Sequence, residues 1–376
     1  MGKSRKVIII GPAWPLRGGG ISTFNERLAR AYQDQGDEVT IYTFSLQYPS
    51  FLFPGTTQYS DEPAPEGLDI KIRINSVNPL NWQKTGREIV RQKPDLVIVR
   101  FWIPFMGPAL GTISGILHKK GIKVVAIVDN IIPHESKPFD KILSRYFVKR
   151  INGFVTMSEA VLNDLKQFDA EKPKLLAVHP LYDNFGEKVS REEALKSLGL
   201  DDRFRYILFF GFIREYKGLD LLLKAFAEKK LRQFPLKLLV AGEFYVDKKP
   251  YLELIDKLGI GKDVILHDQF IPNTEVRNYF CAANLVVQPY KNATQSGITQ
   301  VAYHFEKPII TTNVGGLAEI VTDGRDGYVT VPDPKQIAEA VFSYFNEDKE
   351  AEFTANVRED KKRFSWDKLL DTIDKI

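Results

Sequence analysis

Short apolar runs recur along the chain in two series, and stretches with helical spacing separate them. Buried parallel strands have this appearance, because helices cover both faces of their sheet. The runs occupy residues 7–10, 39–42, 96–99, 124–128 and 154–156, and then 207–210, 236–240, 264–267, 285–288, 308–311 and 328–331. The pattern predicts an α/β chain with two Rossmann-like, doubly wound domains, which bind ligands beyond the carboxyl ends of their strands.

The length of the chain also favours two domains. A chain of 376 residues exceeds what one ordinary core holds. A polar run at residues 183–188 suits a linker, and Ser190 with Glu193 fits a helix capping box. We predict an N-terminal domain over residues 1–185, a C-terminal domain over 186–355 and a terminal helix over 356–376 that packs back on the first domain. Two such domains facing each other across a cleft would suit a two-substrate enzyme.

Composition and cysteine content favour a cytosolic protein. Hydrophobic residues make up 44% and charged residues 27%, which is typical of globular proteins, and the net charge is only +4. Nothing resembles a nucleic-acid-binding arm, so no nucleic-acid partner is expected. The single cysteine, Cys281, cannot form an internal disulfide. The apolar stretch 101–117 contains two prolines and falls short of the roughly 20 residues that span a bilayer.

The segment 206–226 joins a strand, a glycine, two cations and a helix start. Its apolar run stops at Gly211, Arg214 and Lys217 follow, and a helix begins near Gly218. The N-terminus of a helix presents free N–H groups and carries a partial charge of roughly +0.5. This combination favours a polyphosphate ligand. The alternative is an ordinary strand-to-helix turn with two solvated cations.

Small polar residues precede another predicted helix of the same domain. They lie a few positions beyond the run that ends at Gln288, and they are Thr294, Gln295, Ser296 and Gly297. Such a helix start offers N–H groups to an anion. Gln300, one turn further on, could bond a ribose or sugar hydroxyl.

A glycine loop follows the first strand of the N-terminal domain. Gly18, Gly19 and Gly20 lead into a helix, and glycines let a backbone approach a ligand closely. The triplet begins seven positions after Gly11, and no carboxylate ends the second run, so the NAD fingerprint is absent. A ligand contact and a tight structural turn both remain open.

Together these motifs resemble the family-four retaining glycosyltransferases (glycosyl transferases group 1), which have the GT-B fold. The resemblance rests on the order G-x-x-R-x-x-K-G, the small polar helix start, the stretch KPIITTNVGGLAEIV and the DGxxGY turn, and it covers nearly the whole chain. It implies a UDP- or GDP-linked sugar donor bound mainly by the second domain and an acceptor held mainly by the first. No metal and no separate cofactor are implied, and the sequence contains no D-x-D pair.

The resemblance also implies roles for individual residues. Arg214 and Lys217 would neutralise the diphosphate leaving group beside Gly211, and Gly19 and Gly20 would approach the donor from the opposite wall.

Two further residues could act in catalysis. Asp129 stands where many relatives have a histidine that contacts the transferred sugar, so it could orient donor or acceptor. His134 could deprotonate or bind an acceptor hydroxyl. Alternatively, both could merely stabilise a loop.

The chain departs from the family pattern at two places in its second half. Many relatives place the arginine directly after the strand's glycine, where this chain has Phe212. The paired glutamates spaced E-x7-E are absent; Thr294 or Gln295 lies near the first position, and Gln300 or Val301 near the second. Sugar preference therefore does not follow from the sequence.

The sequence predicts a metal-independent glycosyltransferase that moves a hexose-type sugar to a saccharide or lipid-linked acceptor, in polysaccharide or glycoconjugate synthesis. The resemblance implies retention of anomeric configuration. The alternatives are a nucleotide-sugar epimerase or phosphorylase on the same fold, or a catalytically silent nucleotide-sugar-binding partner. The stretch 101–117 or the long loop at 45–67 could rest on a membrane, which would place a cytoplasmic protein at the membrane's inner face. For the stretch 101–117, a buried helix after a loop is the favoured interpretation.

Overall fold

The apolar runs form the strands of two parallel sheets, each in its own compact unit. The computed structural model describes residues 4–18, 20–50, 53, 57–132, 138–293 and 296–376. One unit comprises Met1–Pro180 and Phe364–Ile376, and the other comprises Leu181–Arg363. The chain therefore leaves the first unit once, builds the second, and returns to the first for its last helix.

The first unit contains a seven-stranded parallel sheet in the order β3-β2-β1-β4-β5-β6-β7. Its strands are β1 Lys6–Ile10, β2 Glu38–Leu46, β3 Asp69–Asn75, β4 Leu96–Phe101, β5 Val124–Val128, β6 Gly153–Thr156 and β7 Lys174–Leu176. Its helices are α1 Ile21–Asp34, α2 Pro79–Gln92, α3 Gly107–His118, α4 Asp140–Val148, α5 Glu159–Lys166 and, at the end of the chain, α13 Trp366–Asp374. The strand order reverses between β1 and β4, where doubly wound sheets bind ligands.

The second unit contains a six-stranded parallel sheet in the order β10-β9-β8-β11-β12-β13. Its strands are β8 Arg205–Phe210, β9 Leu236–Ala241, β10 Val264–His267, β11 Leu285–Gln288, β12 Ile309–Thr312 and β13 Gly327–Thr330. Its helices are α6 Arg191–Leu198, α7 Leu219–Phe226, α8 Lys249–Leu258, α9 Asn273–Ala282, α10 Gly297–His304, α11 Pro334–Asn346 and α12 Glu350–Asp360. Here the order reverses between β8 and β11.

Every run predicted as a strand overlaps a strand of the structure, and none extends more than one residue beyond it, but β3 and β7 were not predicted. Both lie at an edge of the first sheet. In β3, with the sequence DIKIRIN, charged and apolar residues alternate and most side chains are partly exposed. The strand β7 has three residues, none of them buried. Edge strands lack the continuous apolar run that identifies a central strand.

Local capping signals explain where several helices begin. Ser190 accepts from the backbone N–H of Glu193 and Glu193 reaches back to Ser190, which is the predicted capping box at the start of α6. Asp333 caps α11, whose first residue is Pro334.

The last helix completes the core of the first unit. In α13, Trp366, Leu369, Leu370 and Ile373 are buried. The ring of Trp366 lies 4.9 Å from that of Phe24 on α1. Burial of four large apolar side chains stabilises this attachment, since each contributes about 1.5–3 kcal/mol.

The apolar stretch 101–117 belongs to the core of the first unit. It forms the end of β4, a short 3₁₀ helix over Pro104–Met106 and most of α3. Met106, Leu110, Ile113 and Leu117 are fully buried. The buried-helix interpretation therefore holds for these four side chains, which are not available to a membrane. Among the described residues, no helix is long and apolar enough to cross a bilayer.

Candidate functional site

In the second unit, the residues predicted to bind phosphate follow two neighbouring strands. Gly211 comes directly after β8, Ser296 ends the connection from β11 to α10, and Gly297 is the first residue of α10. The two strands pair at the centre of the sheet. Both connections therefore leave the same carboxyl edge at the point where the strand order reverses.

The side chain of Lys217 folds back over Gly211. A Cβ atom on Gly211 would lie 2.9 Å from Lys217 Nζ and 3.4 Å from Ile298 Cδ1 on α10. Gly211 also has φ of +97°, which favours glycine. The β8 connection, the lysine and the start of α10 thus meet around one glycine.

A second glycine brings the cationic turn close to the neighbouring strand. Gly218 has φ of +69° and is the N-cap of α7. A Cβ atom there would lie 2.0 Å from the carbonyl oxygen of Pro289. No other residue fits this approach without a shift of the backbone, so Gly218 fixes the turn that carries Lys217.

Neither predicted cation has a carboxylate partner among the described residues. Lys217 is buried, with 8% of its surface exposed. Burial, and then the charge of Arg214, lower the pKa of Lys217 to about 7. Arg214 is exposed, and its guanidinium lies 5.0 Å from the ring centre of Tyr245. A buried ammonium beside a guanidinium is electrostatically costly without an anion.

A hydrogen-bond network organises the start of α10. Ser296 caps the helix by accepting from the N–H of Ile298 at 3.3 Å. Gln288, at the end of β11, donates to Ser296 Oγ at 3.1 Å and accepts from Thr299 Oγ1 at 2.9 Å. Tyr290 also lies in hydrogen-bond range of Ser296 Oγ. Gln288, Thr299 and Tyr290 were not predicted as site residues. Gln288 could have been noticed, because it is a polar residue at the end of an apolar run.

Gln300 is fully buried in α10, and its side chain has no hydrogen-bond partner among the described residues. Both Oε1 and Nε2 lack one. A buried amide without partners is unfavourable, so it needs an explanation. This observation supports, without testing, the predicted bond from Gln300 to a ribose or sugar hydroxyl.

Four of the predicted site residues lie outside the described part of the chain. They are Gly19, His134, Thr294 and Gln295.

In the first unit, the glycine loop is held by side chains that the sequence did not indicate. Asn25 Nδ2 donates to the carbonyl of Pro12 at 2.9 Å, and the N–H of Ala13 donates to Thr43 Oγ1 at 2.9 Å. The N–H of Trp14 donates to Glu26 Oε1, and burial raises the pKa of that carboxyl. Gly20, at the start of α1, has φ of +49° and is exposed.

Asp129 lies in a buried ion pair with Arg100. Arg100 Nε donates to Asp129 Oδ2 at 2.6 Å and Nη2 donates to Oδ1, so the contact is bidentate. The guanidinium stacks 4.0 Å from the ring centre of Phe24. Arg100 was missed as a candidate, although an arginine inside the apolar run of β4 signals a buried charge that needs a partner.

Among the described residues, no group of three His, Cys, Asp or Glu side chains could hold a metal ion.

Two family models match the chain, one in each half. Residues 18–183 match Glycosyltransferase Family 4, and residues 190–362 match Glycosyl transferases group 1. Together the two matches extend over most of both units.

Curated relatives and solved structures agree with these matches. Spore coat protein SA of Bacillus subtilis is 23% identical over 96% of this chain and 95% of its own length. D-inositol 3-phosphate glycosyltransferase 2 of Catenulispora acidiphila is 31% identical, but over 47% of this chain and 43% of that relative. The structure of HepE from Anabaena in complex with UDP-glucose has a TM-score of 0.73 and 16% identity, covering 99% of this chain and 98% of that one.

Proposed function

The chain is a nucleotide-sugar-dependent glycosyltransferase of group 1 with the GT-B fold, and we propose that it transfers a hexose-type sugar from a UDP- or GDP-sugar to a saccharide or lipid-linked acceptor. Such a reaction would serve polysaccharide or glycoconjugate synthesis. In this proposal the second unit binds the donor and the first unit binds the acceptor.

One observation carries the proposal: a buried lysine and an exposed arginine meet at the carboxyl edge of the second sheet, and neither is ion-paired to a described residue. Lys217 lies over Gly211 and beside the first turn of α10. A diphosphate would supply the negative charge that this arrangement lacks. It would also accept hydrogen bonds from the ammonium, the guanidinium and the helix N–H groups.

The charge arrangement suits the chemistry of sugar transfer. When the anomeric bond breaks, the departing diphosphate gains negative charge. Arg214 and Lys217 would stabilise that charge as it grows, so they would favour the transition state over the ground state. The amide of Gln300 would gain partners from a hydroxyl of the donor.

The remaining roles are proposals drawn from the family resemblance. Gly19 and Gly20 would approach the donor, and Thr294, Gln295, Ser296 and Gly297 would contribute to its binding. His134 would bind or deprotonate the acceptor hydroxyl, and the reaction would proceed with retention. The ion pair with Arg100 leaves Asp129 better suited to orienting the loop after β5 than to exchanging a proton.

The proposal is tested by titrating UDP, GDP and UDP-glucose into the purified protein and its Arg214→Ala and Lys217→Ala variants. UDP-glucose is a sensible first donor, because HepE binds it. Each variant should lose about 1.5–3 kcal/mol of binding free energy, or roughly 10- to 150-fold in Kd. Arg232→Ala is the matched control. This arginine is exposed, and it lies in the segment Lys229–Gln233 that leads into β9, at the opposite edge of the sheet.

Unchanged affinity of both site variants for every nucleotide would refute the phosphate assignment. A product assay with the preferred donor and a panel of saccharide and lipid-linked acceptors then tests the transfer. Isomerisation of the donor without an acceptor would indicate an epimerase, and donor binding without transfer or hydrolysis would indicate a silent binding partner.

A further inference from the structure

The connection after β11 packs on residues 214–218, the cationic turn that precedes α7. The N–H of Lys291 donates to the carbonyl of Tyr216 at 2.7 Å. The rings of Tyr216 and Tyr290 meet edge to face, with 6.1 Å between their centres. Pro289 contributes a third contact, the close approach of its carbonyl to the turn. Three consecutive residues of the connection are therefore attached to the turn, and Tyr290 is the middle one.

Tyr290 is buried and fixed by the rest of the second unit. It is 3% exposed, and it packs with Ala293 and Leu317 in a small apolar cluster. The hydroxyl of Thr312, at the end of β12, donates to the Tyr290 carbonyl at 2.6 Å. A large side chain that is packed on its sides and anchored at its backbone has little freedom to move. It can therefore set the positions of the polar groups beside it.

The ring of Tyr290 lies beside the ammonium of Lys217. Lys217 Nζ is 5.8 Å from the ring centre. An aromatic face attracts a cation within about 6 Å, and the attraction is stronger where water is excluded. Burial, and then the charge of Arg214, lower the pKa of Lys217 to about 7. The ring acts in the opposite direction, because it favours the charged form of the lysine.

The charged groups near Lys217 give it no carboxylate partner among the described residues. Asp220, in the first turn of α7, pairs with Lys291 of the connection at 2.7 Å. Glu215 is exposed and forms no ion pair with Lys217. Within the described ranges, the favourable contact of this ammonium is therefore the ring of Tyr290.

The hydroxyl of Tyr290 reaches the start of α10, which the proposed function also assigns to phosphate. It lies 3.3 Å from Ser296 Oγ. Ser296 Oγ accepts from the N–H of Ile298 and from the amide of Gln288, and these two bonds occupy its two lone pairs. The serine hydrogen is therefore donated to the oxygen of Tyr290, and this bond orients the helix cap.

We propose that Tyr290 is a positioning residue of the donor site, with its ring holding the ammonium of Lys217 and its hydroxyl holding the Ser296 cap of α10. The two groups that would bind a diphosphate are then fixed relative to each other before the ligand arrives. Fixed donors and charges stabilise a developing negative charge without rearranging during the reaction. The inference deepens the proposed function and rests on its assignment of this site to a diphosphate.

The test measures the pKa of Lys217 in the free protein by NMR of protein labelled with ¹³C at lysine Cε, with the signal assigned by its loss in Lys217→Met. Tyr290→Leu should lower the titration midpoint by about 0.5–1.5 pH units, because the cation loses the ring. Tyr290→Phe keeps the ring and should keep the wild-type midpoint. Tyr344→Leu is the matched control. This buried tyrosine donates to the carbonyl of Asn284, just before β11, and its loss should not move the midpoint.

A fluorinated phenylalanine at position 290 provides the same test if Tyr290→Leu does not fold. It keeps the shape of the ring but removes the negative potential of its face, so the Lys217 midpoint should fall below that of Tyr290→Phe. A midpoint that stays at the wild-type value without the aromatic face, or an equal fall in Tyr344→Leu, would overturn the role of the ring.

Titration of UDP and GDP into the same samples tests the hydroxyl and separates the two proposals. Tyr290→Phe should bind nucleotide about two- to tenfold more weakly at every pH, because the Ser296 cap loses a partner. In Tyr290→Leu the affinity should also begin to fall at a lower pH than in wild type. Wild-type affinity in Tyr290→Phe would overturn the role of the hydroxyl.

The two proposals fail in different ways. An unchanged Lys217 midpoint in a protein that binds nucleotide normally refutes the positioning role alone. A wild type that binds neither UDP nor GDP refutes the proposed function, even if the midpoint moves as expected.

Discussion

Each unit carries a buried cation at the carboxyl edge of its sheet, but only the cation of the first unit has a carboxylate partner among the described residues. In the first unit, Arg100 forms a bidentate pair with Asp129 and stacks on Phe24. In the second unit, Lys217 is also buried, but its ammonium lies 5.8 Å from the ring centre of Tyr290 and near the charge of Arg214, with no carboxylate partner among the described residues. The cation of the first arrangement is ion-paired, and neither cation of the second is paired with a described residue.

Under the proposed function, the difference separates charge that maintains structure from charge that would bind a ligand. A paired buried charge is expensive to disturb, because removing one partner leaves the other uncompensated. An unpaired buried charge weakens the free protein and strengthens the complex. Mutations of the two sites should therefore change stability and affinity in different proportions.

The largest expected effect is on stability at the paired site. Asp129→Asn should lower the free energy of unfolding by about 3–5 kcal/mol, because Arg100 remains buried without its counterion. Urea denaturation followed by circular dichroism measures the change. Asp374→Asn is the matched control, since this partly exposed aspartate pairs with Arg5 in the same unit and should cost under about 1 kcal/mol. Equal effects of the two changes would show that burial of the Arg100 pair is unimportant.

The glycine turn that supports the unpaired site should be nearly as sensitive. Gly218→Ala should cost about 2–4 kcal/mol, because it combines a left-handed backbone with a clash against Pro289. Gly199→Ala meets no atom within 4 Å at a similar φ, so it isolates the backbone contribution. Thermal denaturation gives the free energy of unfolding of each variant, and the difference between the two values measures the cost of the clash. A Gly218 variant as stable as the Gly199 variant would contradict the close approach.

Removing the unpaired charge should affect ligand binding more than folding. Lys217→Met should weaken nucleotide binding by about 1.5–3 kcal/mol and leave stability unchanged or slightly higher, since no ion pair is lost. Calorimetric titration with UDP gives the binding free energy, and denaturation of the free protein gives the free energy of unfolding. A large loss of stability would mean that Lys217 is structural.

The smallest expected effect is on pH dependence. The pKa of Lys217 in the free protein is about 7, and a bound diphosphate should raise it. Nucleotide affinity should therefore fall as the pH rises above about 7, by at most about tenfold per pH unit. The free protein should gain stability from this group over the range from about 7 towards 10.5, because the unfolded state still binds the proton there.

Titrations of UDP between pH 6.5 and 9 check the sign of this effect. The Lys217→Met variant is the control, and its affinity for UDP should not show this fall with rising pH. A wild-type affinity that rises with pH would exclude protonation of Lys217 as the cause.

The fold could largely be predicted, because central parallel strands are continuous apolar runs. The runs before Gly211 and Gln288 correspond to β8 and β11, and the two series correspond to the two sheets. The edge strands β3 and β7 were missed, since an edge strand buries less of its surface and its pattern is weaker.

The site was only partly predictable. Glycines and cations close together in sequence, such as Gly211 and Lys217, could be placed from local chemistry. Contacts between distant residues could not: nothing in the sequence connects Arg100 with Asp129, or Asn25 with Pro12. Such pairs depend on which strands become neighbours, and strand order is a property of the folded sheet.

The placement of α13 has a consequence for biosynthesis. Because this helix covers α1 but follows all of Leu181–Arg363, the portion of the protein made first stays unfinished until the other portion has left the ribosome. Nascent chains arrested near residue 363 should leave an apolar strip open to chaperones. Fusions or truncations that displace the final helix should therefore destabilise the first unit, although most of that unit lies at the other end of the sequence.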